Sequence, residues 1–190
     1  MISPIKLGFV IGVLSAGSVM AADGAGTVQR DVNQQSRIEQ GLKSGELNTR
    51  EAAKLEKEEA HVDHMQAKDL KDGSLSSAEK AKLNAAQNKV SRDIYREKHD
   101  AQVGNPNAAS SKRMQADVQR NVNQEARIEQ GVKSGSLSAN ETAKLERGQA
   151  HVDRREARAG ADGRVGAREQ AGIQRTENRQ SRRIFRKKHN

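Results

Sequence analysis

Cysteine is absent from the chain, which excludes a disulfide framework, thiol catalysis and any cysteine-ligated metal. Tryptophan is absent too, and one Tyr and two Phe are the only aromatics among 190 residues. Aromatic side chains dominate the energetics of large interiors, so this composition builds no large hydrophobic core. Enzyme signatures are also missing: no Gly-x-Ser-x-Gly elbow, no His-Glu-x-x-His and no phosphate-cradling glycine loop. Carboxylates are plentiful, yet no spacing isolates a pair in an apolar pocket that would split their acidities. These absences point to a non-catalytic chain that folds, if it does, on alanine packing, helix caps and helix propensity. With 31% charged and 2% aromatic residues, disorder stays open beside a helical fold.

What is present is a duplication. Residues 28–99 align without a gap on 118–189, and 36 of the 72 positions are identical. The stretch running from Arg37 to Glu56 returns as that from Arg127 to Glu146. Each copy reads as the end of one helix, a glycine turn and the start of the next. The spacing of Val28, Val32, Gln35, Ile38 or Glu39, and Leu42 predicts a helix over 28–43. Gly45 ends it, Leu47 tucks under the turn, and Asn48 with Glu51 makes a capping-box signature. A second helix is expected over 49–71 with Ala52, Leu55, Val62 and Met65 inward. Gly73, Leu75, Ser76 and Glu79 repeat the turn. A third helix follows over 77–98, with Leu83, Ala86, Val90 and Ile94 on one stripe. Gly135, Leu137 and Glu141, then Gly163, mark the equivalent turns of the second copy.

The expected fold is therefore all-α: two tandem repeats, each of about three amphipathic helices joined by Gly-x-Leu-x-x-x-Glu turns. Repeat 1 spans 22–103, with a short Gly-rich lead at 22–27. A polar linker spans 104–116 and repeat 2 spans 117–190. Gly163, Gly166 and Gly172 predict a loose stretch over 160–172, between firm helix at 119–158 and a last helix over 169–187. Residues 1–21 read as a signal peptide: Lys6, an apolar run from Leu7 to Leu14 too short to span a membrane, and Val19-Met20-Ala21 before the cut. A periplasmic or secreted location is the expectation.

Charge is divided unevenly. Residues 23–104 carry 14 basic and 15 acidic side chains, net −1, whereas 105–190 carry 19 and 10, net +9. Arg175, Arg179, Arg182, Arg183, Arg186, Lys187 and Lys188 crowd the final helix. Such a tail either keeps the protein solvated or binds a polyanion by counterion release. The partners implied are anionic lipid, lipopolysaccharide or an acidic protein, and nucleic acid is not expected.

Two cation readings stand beside the plain structural ones. The second half of each turn resembles an EF-hand loop: Gly73 and Glu79 stand at its glycine and bidentate-glutamate positions, with Asp72 before the glycine. Asp162 with Glu169 repeats this, but the loop's first carboxylates are missing. The resemblance implies a weakly bound divalent or trivalent cation, and a glycine cap followed by a capping box gives the same pattern without metal. His61, His64 and Met65 share a helix face and would suit a softer metal, although only His61 persists, as His151. The whole pattern is similar to small exported helical-repeat proteins of proteobacteria, a resemblance that brings no activity with it. The expected function is a non-catalytic periplasmic binding or structural protein with a polyanion-contacting second repeat. A metal-responsive protein and an envelope stress chaperone are the alternatives.

Overall fold

The structure, a computed structural model, describes residues 17–189, with side chains from residue 24 onward. Residues 1–16 of the expected signal peptide lie outside the described residues. Among the described residues the fold is all-helical and contains no strand. The helices are α1 (Gly17–Ser44), α2 (Thr49–Asp69), α3 (Ser77–Lys98), α4 (Ala109–Lys133), α5 (Ala139–Ala159) and α6 (Ala167–Lys188), and a single 3-10 turn, Leu70–Asp72, extends α2. No described helix is long and apolar enough to cross a membrane.

The corners form as their residues dictate. Gly45, Gly73, Gly135 and Gly163 all have positive φ, from +72° to +101°, a conformation that costs glycine little. After the first of them, the Leu47 N–H donates back to the Gly41 carbonyl at 2.9 Å, and the Leu47 side chain is fully buried. Asn48 Oδ1 accepts the Glu51 N–H at 3.0 Å, and Glu51 Oε2 accepts the Asn48 N–H at 2.9 Å, closing the capping box of α2. Ser76 with Glu79 and Ser138 with Glu141 cap α3 and α5 in the same way.

α1 lies along α4, and α2 along α5. These four helices form the centre, with α3 and α6 packed on its outside. Val28 shares an apolar cluster with Ile128 and Val132, while Ile38 and Leu42 share another with Met114 and Val118, so α1 and α4 run antiparallel. The second cluster also holds Leu47, Leu55, Val62, Leu83, Ile94, Val165 and Ile173. The larger cluster runs along α2 and α3, and buried polar side chains such as Asp31, Glu59, Asp63 and Glu146 lie beside these apolar groups.

Three sequence expectations are corrected. The 22–27 lead, expected to precede a first helix over 28–43, is part of α1: Ala25 is buried among Ile128, Leu137, Leu145 and Ile184, and that contact outweighs the low helix propensity of Gly24 and Gly26. The linker is shorter than expected, because α4 begins at Ala109 and already buries Ser111 and Met114. The 160–172 stretch is not loose. Val165 is buried in the larger cluster, its N–H donates to Ser110 Oγ at 2.7 Å, and its carbonyl accepts from Arg113 at 2.9 Å. Only 160–166 is a turn, and α6 runs through Gly172.

Candidate metal centre

α2 carries Glu56, Glu59, Asp63 and Gln66 at i, i+3, i+7 and i+10, which places all four on one helix face. α5 carries Glu146, Gln149, Asp153 and Glu156 at the same spacing, and α1 and α4 add Asp31, Gln35, Asn121 and Glu125. The apolar residues beside them, Leu55, Val62, Leu145 and Val152, point the same stripes inward. The polar residues are therefore carried into the interior with them. Eight carboxylates result, each between 0% and 2% exposed: Asp31, Glu56, Glu59 and Asp63, and Glu125, Glu146, Asp153 and Glu156. This corrects the expectation that nothing gathers carboxylates in a buried pocket.

Carboxamides hold part of the group. Gln66 Nε2 donates to Asp31 Oδ2, and Gln87 Nε2 donates to Asp31 Oδ1 at 2.7 Å. Gln35 Nε2 donates to Glu56 Oε2 at 3.0 Å. Asn121 Nδ2 donates to Asp153 Oδ1 at 3.1 Å and to Glu156 Oε2 at 2.8 Å. The rest is unmet. Both oxygens of Glu59 and both of Glu146 are buried with no hydrogen-bond partner, as is one oxygen each of Glu56, Asp63, Glu125 and Glu156. Among the described residues, no Lys, Arg or His lies within ion-pairing distance of any of the eight.

Two trios are tight enough to share an ion. Asp31, Asp63 and Glu146 each offer an oxygen, and these atoms all lie within 4.8 Å of one another; Glu56, Asp153 and Glu156 do the same. Two like charges at that separation repel by about 3 kcal/mol at an effective dielectric of about 20. Burial pushes the Asp31 and Glu56 carboxyls up to about 7. Burial, then the neighbouring carboxylates, holds Glu59, Asp63 and Glu146 well above the usual range. It does the same to Glu125, Asp153 and Glu156. The acidic run continues to Asp117 and Glu177, where Arg120 Nε lies 3.1 Å from Glu177 Oε2 and supplies a counter-charge. A further trio, Glu51, Glu97 and Asp100, is a different case: Asp100 is exposed, Lys54 pairs with Glu97 at 2.7 Å, and Glu51 belongs to a cap.

The residues singled out from sequence lie elsewhere. Glu79 Oε2 accepts the Ser76 N–H at 2.8 Å, and Glu169 Oε2 accepts the Gly166 N–H at 2.8 Å, so both serve helix starts. Asp162 Oδ1 accepts the Arg164 N–H at 2.8 Å, and Asp72 Oδ1 stands 3.4 Å from the Ser74 N–H. His61 and His64 are exposed and line a shallow surface pocket with Lys57, Arg154 and Arg158, whereas Met65 packs against the larger apolar cluster. Of the basic residues of α6, Arg179, Arg182, Arg183 and Arg186 line one groove of about 610 Å³ with Arg127 and Phe185. Lys187 turns to Glu141 at 3.3 Å and Lys188 to Gln130 at 2.8 Å, and Arg175 is exposed.

Sequence reasoning missed all eight interior carboxylates. The signal was there, in acid and amide residues recurring at i, i+3, i+7 and i+10 on α2 and again ninety positions later. No family model matches the chain, and no curated protein or solved structure matches it either.

Proposed function

We propose that the chain binds hard metal cations inside its helical core, and that binding rather than catalysis is its activity. The observation that carries this is the pair Glu59 and Glu146, buried to 1% and 0% exposure with all four carboxylate oxygens unpartnered. A buried polar atom without a partner costs about 1–3 kcal/mol, and more when charged. Neither an ionised nor a protonated cluster finds enough partners within the protein. A cation among the oxygens answers both the charge and the vacant lone pairs.

The donor set fixes the class. Every ligand is a carboxylate or carboxamide oxygen, with no Cys in the chain and the imidazoles of His61 and His64 at the surface. Such donors favour calcium, magnesium, manganese and trivalent ions over copper or zinc. On this reading the fold is a duplicated three-helix unit whose two copies face one another across the cation, in a protein exported as residues 1–21 suggest. The test is a thermal melt of the chelator-treated chain, followed by circular dichroism, with calcium, manganese, a lanthanide, zinc and copper added singly. Hard cations should raise Tm with concentration, by mass action, and Glu59→Gln with Glu146→Gln should sharply reduce the rise. If no hard cation shifts Tm, or if the double variant responds like the parent, the proposal fails.

A second reading has its own observation. In the first half of the chain, Asp93 pairs with Lys89 at 2.5 Å and with Arg96 at 2.8 Å on the face that α3 shares with Arg37. At the equivalent place in α6 the acid is Arg183, among Arg179, Arg182 and Arg186. We infer that this groove contacts an anionic envelope component.

A further inference from the structure

The two trios are built to one plan. An offset of ninety residues carries Asp63 to Asp153, Glu56 to Glu146, Asp31 to Asn121 and Gln66 to Glu156. Asp31, Gln66, Asp63 and Glu146 thus correspond to Asn121, Glu156, Asp153 and Glu56. Each set draws three members from one half of the chain and one from the other. Each has three carboxylates and one carboxamide, but the carboxamide has changed places. In the first set Gln66 donates to Asp31, and in the second Asn121 donates to Glu156 at 2.8 Å. Between the sets, Gln35 and Glu125 correspond, as do Glu59 and Gln149, and again acid and amide are exchanged. Charge count is kept while individual positions change.

A single ion would serve one trio and leave three carboxylates within 4.8 Å of one another with no counter-charge. The trios are also neighbours, because Asp63 of one and Asp153 of the other face each other across the α2–α5 interface. Glu59 and Glu125 stand close to both Asp31 and Asp63, and Glu59 also to Glu56. Glu59 and Glu146, each with both oxygens unpartnered, supply ligand atoms not engaged elsewhere.

Building on the cation-binding reading, we propose that the core is a dinuclear site for hard divalent or trivalent cations. One ion is held by Asp31, Asp63 and Glu146, and the other by Glu56, Asp153 and Glu156. Glu59, close to Glu56 as well as to Asp31 and Asp63, lies between them as a carboxylate able to serve either, and Glu125 adds a carboxylate beside the first ion.

Manganese(II) is the probe. Full chain stripped with chelator is dialysed against it, and metal per chain is measured by atomic emission alongside the electron paramagnetic resonance spectrum. Two ions per chain with an exchange-broadened spectrum are expected. Glu146→Gln and Glu56→Gln should each reduce the content to one and restore the six-line spectrum of an isolated ion. One ion in the parent chain overturns the dinuclear site and leaves cation binding standing. None overturns both. Two ions with an uncoupled spectrum, unchanged in either variant, place the metal elsewhere and overturn the proposal. Far-UV circular dichroism checks that each variant folds, and the parent stoichiometry decides the matter if one does not.

Discussion

Asp63 and Asp153, ninety positions apart in the chain, face each other across the α2–α5 interface, and each raises the cost of ionising the pair. Both are 2% exposed. Two aspartates in such contact hold one proton between them or hold a cation.

Neutralising that pair separates stability from binding. Asp153→Asn keeps the shape, removes a carboxyl and leaves a donor toward Asp63. In chelated protein at pH 8 it should stabilise the fold by about 1–3 kcal/mol, since removing uncompensated buried charge relieves a desolvation cost. The same variant should lose at least tenfold in manganese affinity. Melts with chelator and with metal measure both, and a destabilised chelated variant would argue that the carboxylate is merely structural.

The metal-free protein should lose stability as pH rises. Asp31 and Glu56 are raised from ordinary values of 3.8 and 4.5 to about 7 by burial. The folded state therefore holds protons that the unfolded state releases, and the stabilisation is complete below about pH 4 and lost as pH climbs through about 7. Each unit of such a shift corresponds to about 1.4 kcal/mol. Tm of chelated protein should fall between pH 5 and 8. Saturating hard cation should flatten or reverse that slope, because the ion competes with protons for the same oxygens. Glu79 and Glu141, held below their usual range by hydrogen bonds from Ser76 and Ser138, act in the opposite sense only in acid. A metal-free Tm that rises across pH 5–8 would contradict the buried cluster.

Corners were legible in the sequence because glycine and capping residues act locally: Gly45, Gly73, Gly135 and Gly163 adopt the left-handed turns their spacing implies. α3 begins and ends where its pattern does. The interior was not legible, because a helix wheel shows which face a residue occupies but not what faces it. Glu56 and Asp63 stand on the same face as Leu55 and Val62, and only the packing of α2 on α5 turns that face into an enclosed space. The same limit hid Val165, whose burial tethers a turn that glycine content alone would make loose. His61 and His64 drew attention by residue type, yet their side chains point outward.

Two glycines should respond oppositely to alanine. Gly26 lies within α1, exposed, with nothing within 4 Å of where a Cβ would stand. Gly26→Ala should stabilise by about 0.5–1 kcal/mol through helix propensity. At Gly104 a Cβ would fall 2.3 Å from the Leu47 carbonyl oxygen, and the Gly104 N–H donates to the Gly45 carbonyl at 2.8 Å. Gly104→Ala must displace backbone and should destabilise by about 1–3 kcal/mol. Denaturant melts of both variants decide whether the 99–108 connection is docked on the first corner.

The groove on α6 offers a test with an internal control. Arg127 donates to the Ser181 carbonyl at 3.3 Å, as Arg37 does to that of Ser91 at 3.1 Å, so the two faces share a frame. They differ in charge: Glu58, which pairs with Lys89 at 3.0 Å, corresponds to Gly148, and Asp93 corresponds to Arg183. Arg182, Arg183 and Arg186 have no acidic partner among the described residues, and Phe185 beside them is 57% exposed. Arg183→Asp rebuilds the arrangement of the first half and should lower affinity for anionic phospholipid vesicles at least tenfold, with a shallower salt dependence. Asp93→Arg should do the reverse in part, removing the acid that Lys89 and Arg96 share and adding a cation to that face, while Glu58 and Glu97 still pair with them. Vesicle co-sedimentation across a salt series reads both. If Arg183→Asp binds like the parent, charge at this groove does not carry the contact, whatever the net charge of the chain.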